Sequence, residues 1–405
     1  MKTVGITAEY DPFHNGHLYQ LRRAKELSGA DCAVVILGGD FLQRGMPGLY
    51  GKWTRAEMAL AAGADLVIQL PYFYSCNSGQ EYAGGAVSIL HGLGCVDVLS
   101  FGCEEEGFRK LDLASSVMPE EEQAGGRIRY YLKQGCSYPD AVTRTVSELA
   151  GEEAAELLRK PNNLLAVEYM RVLKRLQSGI SPLPVRRTET IALNGMRSAG
   201  EIREAVRGGR LLSVQEAVPA STFRLMCGCT DTEDPERNML HYLLYRLRTA
   251  DRRGLSEIYS VSEGLEARLQ EAAAGCPETL DELMDAVQTR RYTRARIRRT
   301  LVHILMGFTQ EAADAVRGAV YARVLGFSEA GRELLRKAAE TSSIPVLSNL
   351  RRLDQYEERI RRSIELDMRA EDLCAMLHGR MEPAGSGKNR IPIMPGHFRE
   401  TEWPE

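Results

Sequence analysis

Four strand-length apolar runs alternate with helix-patterned stretches over the first 105 residues, and that alternation leaves few folds open. The runs cover residues 2–9, 32–37, 65–70 and 96–101. Between them, 16–27, 52–62 and 80–90 carry apolar residues at helical spacing. Each run ends at a breaker: the Pro12–Gly16 loop, Gly38-Gly39, Pro71 and Gly102. Strands spaced by helices of roughly 10–15 residues are βαβ units, and these build a parallel sheet covered on both faces. Ligands of such sheets bind beyond the C-terminal strand ends, here 9–17, 38–45, 71–78 and 102–104.

Downstream the pattern changes. Residues 110–175 read as helical, with a break at Lys160-Pro161-Asn162-Asn163, followed by a strand-like piece at 183–187 and a helix at 198–206. After about residue 210 strand signals nearly vanish. The expected organisation is an α/β domain over 1–208, an α-helical domain over 209–379 and a flexible tail over 380–405, where Pro and Gly recur without periodicity. A chain of 405 residues is long enough for roughly two to three domains. No apolar run approaches the roughly 20 residues of a membrane-spanning helix, and Met1-Lys2-Thr3-Val4-Gly5 opens no signal peptide. Nine scattered cysteines then read as reduced thiols of a cytoplasmic protein; Cys227-Gly228-Cys229 is too short for a zinc clip. The net charge of −3 gives no global nucleic-acid signature, so any basic footprint is local.

The sharpest chemistry lies in Asp11-Pro12-Phe13-His14-Asn15-Gly16-His17, between the first run and the first helix. Gly16 permits a close turn into the helix. The helix N-terminus suits a phosphate. His14 and His17, three apart, can aim at one spot and hold the charge that grows on a nucleotide α-phosphate as pyrophosphate leaves. A pair of capping or surface histidines is the alternative. A zinc site lacks a third ligand at suitable spacing, and the chain has no Gly-x-x-x-x-Gly-Lys-Ser/Thr loop.

A His-x-Gly-His after a first strand resembles the signature of Rossmann-like nucleotidylyl transferases, and Ser198-Ala199-Gly200-Glu201-Ile202-Arg203 resembles their later helix-start motif. Glu9-Tyr10-Asp11-Pro12-Phe13-His14-Asn15-Gly16-His17-Leu18, Asp40-Phe41-Leu42-Gln43-Arg44-Gly45, Lys52-Trp53-Thr54-Arg55 and Asp65-Leu66-Val67-Ile68-Gln69-Leu70-Pro71 together look like the bacterial tRNA(Met) cytidine acetate ligase family. Lys160-Pro161-Asn162-Asn163-Leu164-Leu165 and Arg291-Tyr292-Thr293-Arg294 fit it too. The likeness covers roughly residues 1–375 and departs at Asp11, where Asn is expected, and at Gly200, where a hydroxyl is expected.

The resemblance implies a Rossmann-like parallel-sheet nucleotidylyl transferase domain followed by an α-helical, tRNA-contacting domain. It implies ATP and Mg²⁺, acetate and elongator tRNA(Met) as partners, no membrane and no protein-built metal site. Acetate would become acetyl-adenylate, and the acetyl group would pass to N4 of the wobble cytidine. His14 and His17 would be catalytic. ATP would contact Thr7, Ala8, Glu9, Tyr10, Asp11, Pro12, Phe13, His14, Asn15, Gly16, His17, Leu18, Tyr19 and Gln20, then Gly102, Asn162 or Asn163, and Arg187, with Arg203 as a further phosphate ligand. On their residues alone, Gly102 is equally a turn, the Asn pair a helix cap after Pro161 and Arg187 a surface charge.

Asp40, Gln43 and Arg44 follow the second strand and suit acetate or substrate positioning. Lys52 and Arg55 would extend a basic rim with Trp53, which reads equally as a core anchor. Arg290, Arg291, Arg294, Arg296, Arg298 and Arg299 form a basic stripe around Tyr292, suited to RNA backbone and base stacking; a solvated face with intrachain ion pairs is the alternative. Arg171, Lys174 and Arg175 are a smaller basic set. Two other functions share these residues: a small-molecule nucleotidylyl transferase acting on a phosphate-ester acceptor, and a non-catalytic RNA-binding module. The sequence does not encode oligomeric state or tRNA choice.

Overall fold

The computed structural model describes residues 1–104, 108–117, 126–186, 198–229, 234–289 and 292–394. Seven strands form one sheet: β1 (Thr3–Ala8), β2 (Cys32–Gly38), β3 (Leu66–Leu70), β4 (Val98–Cys103), β5 (Ser181–Arg186), β6 (Ala322–Phe327) and β7 (Val346–Leu347). Their order is β5-β4-β1-β2-β3-β6-β7. The first five run parallel, in register Val4↔Ala33, Val4↔Val98, Val34↔Leu66 and Val98↔Ser181.

The apolar runs become central strands because both faces are covered. From Cys32 to Leu37 no side chain of β2 is more than 1% exposed. Val34 and Ile36 join one core, Ala33, Val35 and Leu37 the other, as the two-residue strand period requires. Helices α1 (Asn15–Ser28) and α2 (Lys52–Ala61) cover one face with Leu21, Ala24, Ala56 and Ala59. Helices α3 (Gly79–Gly92) and α4 (Pro161–Arg175) cover the other with Ala83, Val87, Val167 and Met170. Each fully buried Val, Leu or Ile contributes about 1.5–3 kcal/mol.

The chain steps from β1 to β2 to β3 on one side, then crosses back to place β4 against the other side of β1. This reversal opens a crevice at the carboxyl ends of β1 and β4, the usual ligand position in such sheets. The later chain supplies helices α5 (Ala199–Arg207), α6 (Pro235–Thr249), α7 (Leu280–Val287), α8 (Arg294–Met306), α9 (Glu329–Thr341) and α10 (Glu358–Leu377).

Two expectations change. The segment after residue 210 is not purely helical: β6 pairs antiparallel with β3, and β7 parallel with β6. The run Ala322-Arg323-Val324-Leu325-Gly326-Phe327 hides its strand character behind one charge. Arg323 is only 3% exposed; its guanidinium meets Gln69 Oε1 at 3.3 Å and donates to Gly387 O at 3.0 Å. The start of the tail is docked as well. Ile393 N–H donates to Leu325 O, and Phe327 N–H donates to Ile393 O, so the backbone bonds tie residue 393 to the sheet. Residues 395–405 lie outside the described chain.

Candidate active site

The loop after β1 ends in an unusual helix cap. His14 is the N-cap of α1. Its Nδ1 accepts from the Gly16 N–H at 3.0 Å, and His17 Nδ1 accepts from the His14 N–H at 3.3 Å. Two imidazoles thus do what Ser and Glu do in an ordinary capping box. The rings stack, centroids 3.7 Å apart and 21° from parallel. Tyr10 and Phe13 wall the pair, 4.8 and 5.7 Å from the His17 ring. Because each Nδ1 accepts, the neutral rings carry their proton on Nε2. The Gly16 amide at the helix N-terminus is taken up by His14.

Both histidines line a cavity of about 600 Å³ at the β1/β4 crevice. Of the residues expected there, Thr7, Ala8, Glu9, Tyr10, Asp11, Gly16 and Gln20 share the lining, as do Gln43, Gly102 and Asn162. Pro12, Phe13, Asn15, Leu18, Tyr19 and Asn163 do not. Phe13 is fully buried, and Asn15 turns away to donate to Glu216 O at 2.7 Å. The adjacent asparagines divide their work. Asn162 lines the cavity and donates to Glu104 Oε1 at 2.6 Å. Asn163 is fully buried, and its Oδ1 accepts from the Glu104 N–H at 2.9 Å. Arg187 lies outside the described residues.

Sequence reasoning missed the apolar wall: Tyr82, Phe101, Leu165 and Tyr169. Asn162, Leu165 and Tyr169 are spaced i, i+3, i+7 on α4, one helix face, and that spacing was the available signal. Tyr169 is locked by a 2.5 Å hydrogen bond between its hydroxyl and that of Thr7. The first turn of α5 completes the wall with Ser198, Ala199 and Glu201, and Arg203 follows.

Beneath the cavity, burial pushes the Asp11 carboxyl up, but Arg44, Arg55 and Arg203 outweigh it and hold the pKa below the ordinary value. Asp11 Oδ1 also accepts from the Leu49 N–H at 2.6 Å, and Arg203 Nη1 donates to Asp11 O at 2.7 Å. Arg44 pairs with Asp11 and lies 3.5 Å from Glu9. Glu9 in turn accepts from the Gln43 N–H at 2.8 Å. Burial lowers Arg203, and the neighbouring Arg44 lowers it further, to about 10.

The basic rim is a correction. Lys52 and Arg55 are fully buried and Trp53 is 9% exposed. Lys52 Nζ lies 2.8 Å from both Asp40 Oδ2 and Glu371 Oε2, and Trp53 Nε1 donates to Glu371 Oε1 at 2.8 Å. Arg55 donates to the backbone carbonyls of Glu9, Gly38, Gly39 and Tyr50. These three side chains, with Asp40, brace the loops from below and contact no open surface. The stripe changes too. Arg290 and Arg291 lie outside the described residues. Tyr292 is 4% exposed and donates to Ser262 O at 2.7 Å, so it offers no stacking face. Arg294 pairs with Asp281 and Asp285, Arg296 covers the Tyr292 ring at 4.6 Å, and Arg299 donates to Gln43 O at 2.9 Å. Arg171 pairs with Glu168 and Lys174 with Asp112.

A second depression of about 720 Å³ lies among Lys2, Asp97, Ser181 and their neighbours. Those residues lie at the starts of strands β1, β4 and β5, the end opposite the histidines.

Residues 1–388 match the family model described as HIGH Nucleotidyl Transferase. A tRNA(Met) cytidine acetate ligase of Syntrophotalea carbinolica is 38% identical over 364 residues, 87% of this chain and 86% of that protein. One from a Geobacillus species is 35% identical over 378 residues, covering 88% and 92%. Among solved structures, Thermotoga maritima TmcAL bound with alpha-thio ATP superposes with a TM-score of 0.89 at 29% identity, covering 97% of this chain and 99% of the other.

Proposed function

The chain belongs to the HIGH nucleotidyl transferase family, and from that premise we propose that it is an ATP-dependent acetate ligase that acetylates a tRNA(Met) cytidine, as its ligase relatives are named for doing. One observation carries the reading: two stacked imidazoles, each committed through Nδ1 to a backbone N–H, line the cavity at the sheet's reversal point. ATP enters this cavity, its adenosine against the Gly102 and Asn162 side and its phosphates towards the histidines and the first turn of α5. A carboxylate oxygen of acetate attacks the α-phosphorus, the bond to the β-phosphate oxygen breaks and pyrophosphate leaves. His14 and His17 donate Nε2–H to the oxygens on which charge grows. The exocyclic N4 of the cytidine then attacks the acetyl carbonyl carbon and loses a proton, the bond from that carbon to the bridging anhydride oxygen breaks, and AMP departs with that oxygen. The Tyr82–Phe101–Tyr169 wall keeps water from the mixed anhydride.

Among the described residues no group of three or more His, Cys, Asp or Glu side chains is placed to hold a metal ion. No step above passes through a metal ion. No helix among the described residues is long and apolar enough to cross a membrane.

Exchange of labelled pyrophosphate into ATP tests the first step. Exchange should require acetate, and His17→Ala should lower it by about 10²–10³, the cost of one oxyanion donor. Mass spectrometry of the tRNA nucleosides should then show N4-acetylcytidine. Exchange with a phosphate ester in place of acetate, or an unimpaired His17→Ala enzyme, would overturn the reading.

A further inference from the structure

Four guanidinium groups, Arg44, Arg203, Arg207 and Arg298, converge on a third cavity of about 270 Å³ beside the one with the histidines. Glu204 and Glu236 are the carboxylates in its lining, while Asp11 and Asp281 pair with Arg44 and Arg298 from outside it. The site is assembled from three helices and one loop. Gly200, Arg203, Glu204 and Arg207 follow the i, i+3, i+4, i+7 rule and form one face of α5. Arg298 comes from α8 and Glu236 from the first turn of α6. Arg44 comes from the loop after β2.

The backbone holds that loop in place. Gly45 has φ +75°, and a Cβ there would come within 2.3 Å of Arg299 N and 2.5 Å of Arg298 C. The loop therefore lies directly on α8, which brings Arg44 beside Arg298. Gln43 and Arg44, adjacent in sequence, line different cavities: Gln43 the one with the histidines, Arg44 this one. Arg203 borders both.

One donor here lacks an acceptor. Arg298 Nε is buried and makes no hydrogen bond, and its ion pair with Asp281 spans 3.4 Å. Arg207 pairs with Glu236 at 2.8 Å. Arg203 is lowered by burial and by the nearby cation Arg44, a repulsion that a bound anion relieves.

We propose that this cavity is a phosphate subsite separate from the ATP cavity, taking a phosphodiester of the RNA strand whose cytidine enters next door. Its chemistry fits a second source as well, the pyrophosphate released across Arg203. Forked guanidinium donors suit either group. The identity of the RNA rests on the function proposed above; the existence of an anion site does not.

The test uses the full-length protein, unmodified tRNA and inorganic pyrophosphate, with Arg207→Gln and Glu236→Gln. For an RNA phosphate, Arg207→Gln raises the tRNA KM about tenfold and reduces the salt slope by about one, while acetate-dependent pyrophosphate exchange is unchanged. Glu236→Gln removes a competing carboxylate and lowers the same KM, a gain that misfolding cannot produce. For pyrophosphate, the two variants move its product-inhibition constant in these opposite directions and leave the tRNA KM alone. If neither quantity moves in either variant, the subsite does not exist. A wild-type enzyme that exchanges pyrophosphate but acetylates no tRNA refutes the RNA reading, and the pyrophosphate arm still decides the site.

Discussion

Lys52→Ala should be a stability mutant and not an RNA-binding mutant. Its ammonium is fully buried between Asp40 and Glu371. Burial pushes the Glu371 carboxyl up, but Lys52 and Arg323 outweigh it and hold it well below the ordinary value. Removing Lys52 leaves two buried carboxylates facing each other, with Arg323 3.7 Å from Glu371 as partial relief. Breaking such a pair from one side costs about 3–5 kcal/mol. For 405 residues melting as one cooperative unit, an unfolding entropy of roughly 2.1 cal/mol/K per residue turns about 4 kcal/mol into a fall in Tm of about 5 °C. Calorimetry reads the fall, and steady-state kinetics on the folded enzyme reads the tRNA KM. Adding Glu371→Gln to Lys52→Ala should recover at least about 1 kcal/mol, because the two sites are coupled. A Tm within about 1 °C of the parent together with a raised tRNA KM would refute the buried-brace account and restore an exposed basic rim.

Two further outcomes follow from single positions. Gly45→Ala should cost more than about 2 kcal/mol in denaturant unfolding, since the left-handed φ and the overlap with α8 add; an unchanged midpoint would mean the loop does not lie on that helix. Asp367 is pushed up to about 6 by burial, although Lys52 and the Tyr321 hydroxyl oppose the rise. Its folded pKa exceeds the unfolded one, so its contribution is largest below about pH 4 and is lost as pH rises through about 6, a change of about 3 kcal/mol. Asp367→Asn should remove that slope, and a wild-type-minus-variant stability difference that is flat from pH 4 to 7 would sink the assignment.

The sheet's first four strands and the histidine pair were legible because their signals are local: short apolar runs, breakers, and two imidazoles three residues apart. What escaped the sequence depends on distant partners. Trp53 and Glu371 meet across 318 positions, and nothing near Lys52-Trp53-Thr54-Arg55 announces that its cations point inward. Strand β6 was hidden by Arg323, a charge that reads as surface until Gln69, Glu371 and the Gly387 carbonyl surround it. The aromatic wall was hidden differently. Tyr82 and Tyr169 stand on helices whose apolar faces read as ordinary core, and only the sheet's reversal point turns part of that core into a cavity lining.

The arginine stripe shows why a charge run is a poor unit of function. One turn of helix sends Arg294 and Arg298 towards α7, Arg299 under the Gln43 loop and Arg296 over a buried tyrosine. The charges are divided among an ion-pair cluster, a loop brace and one cavity. Arg298 is the member that combines with cations from α5 and from the loop after β2, and only that combination concentrates positive charge. Because the same loop also presents Gln43 to the cavity with the histidines, and because Arg203 borders both spaces, occupying either cavity bears on the walls of the other.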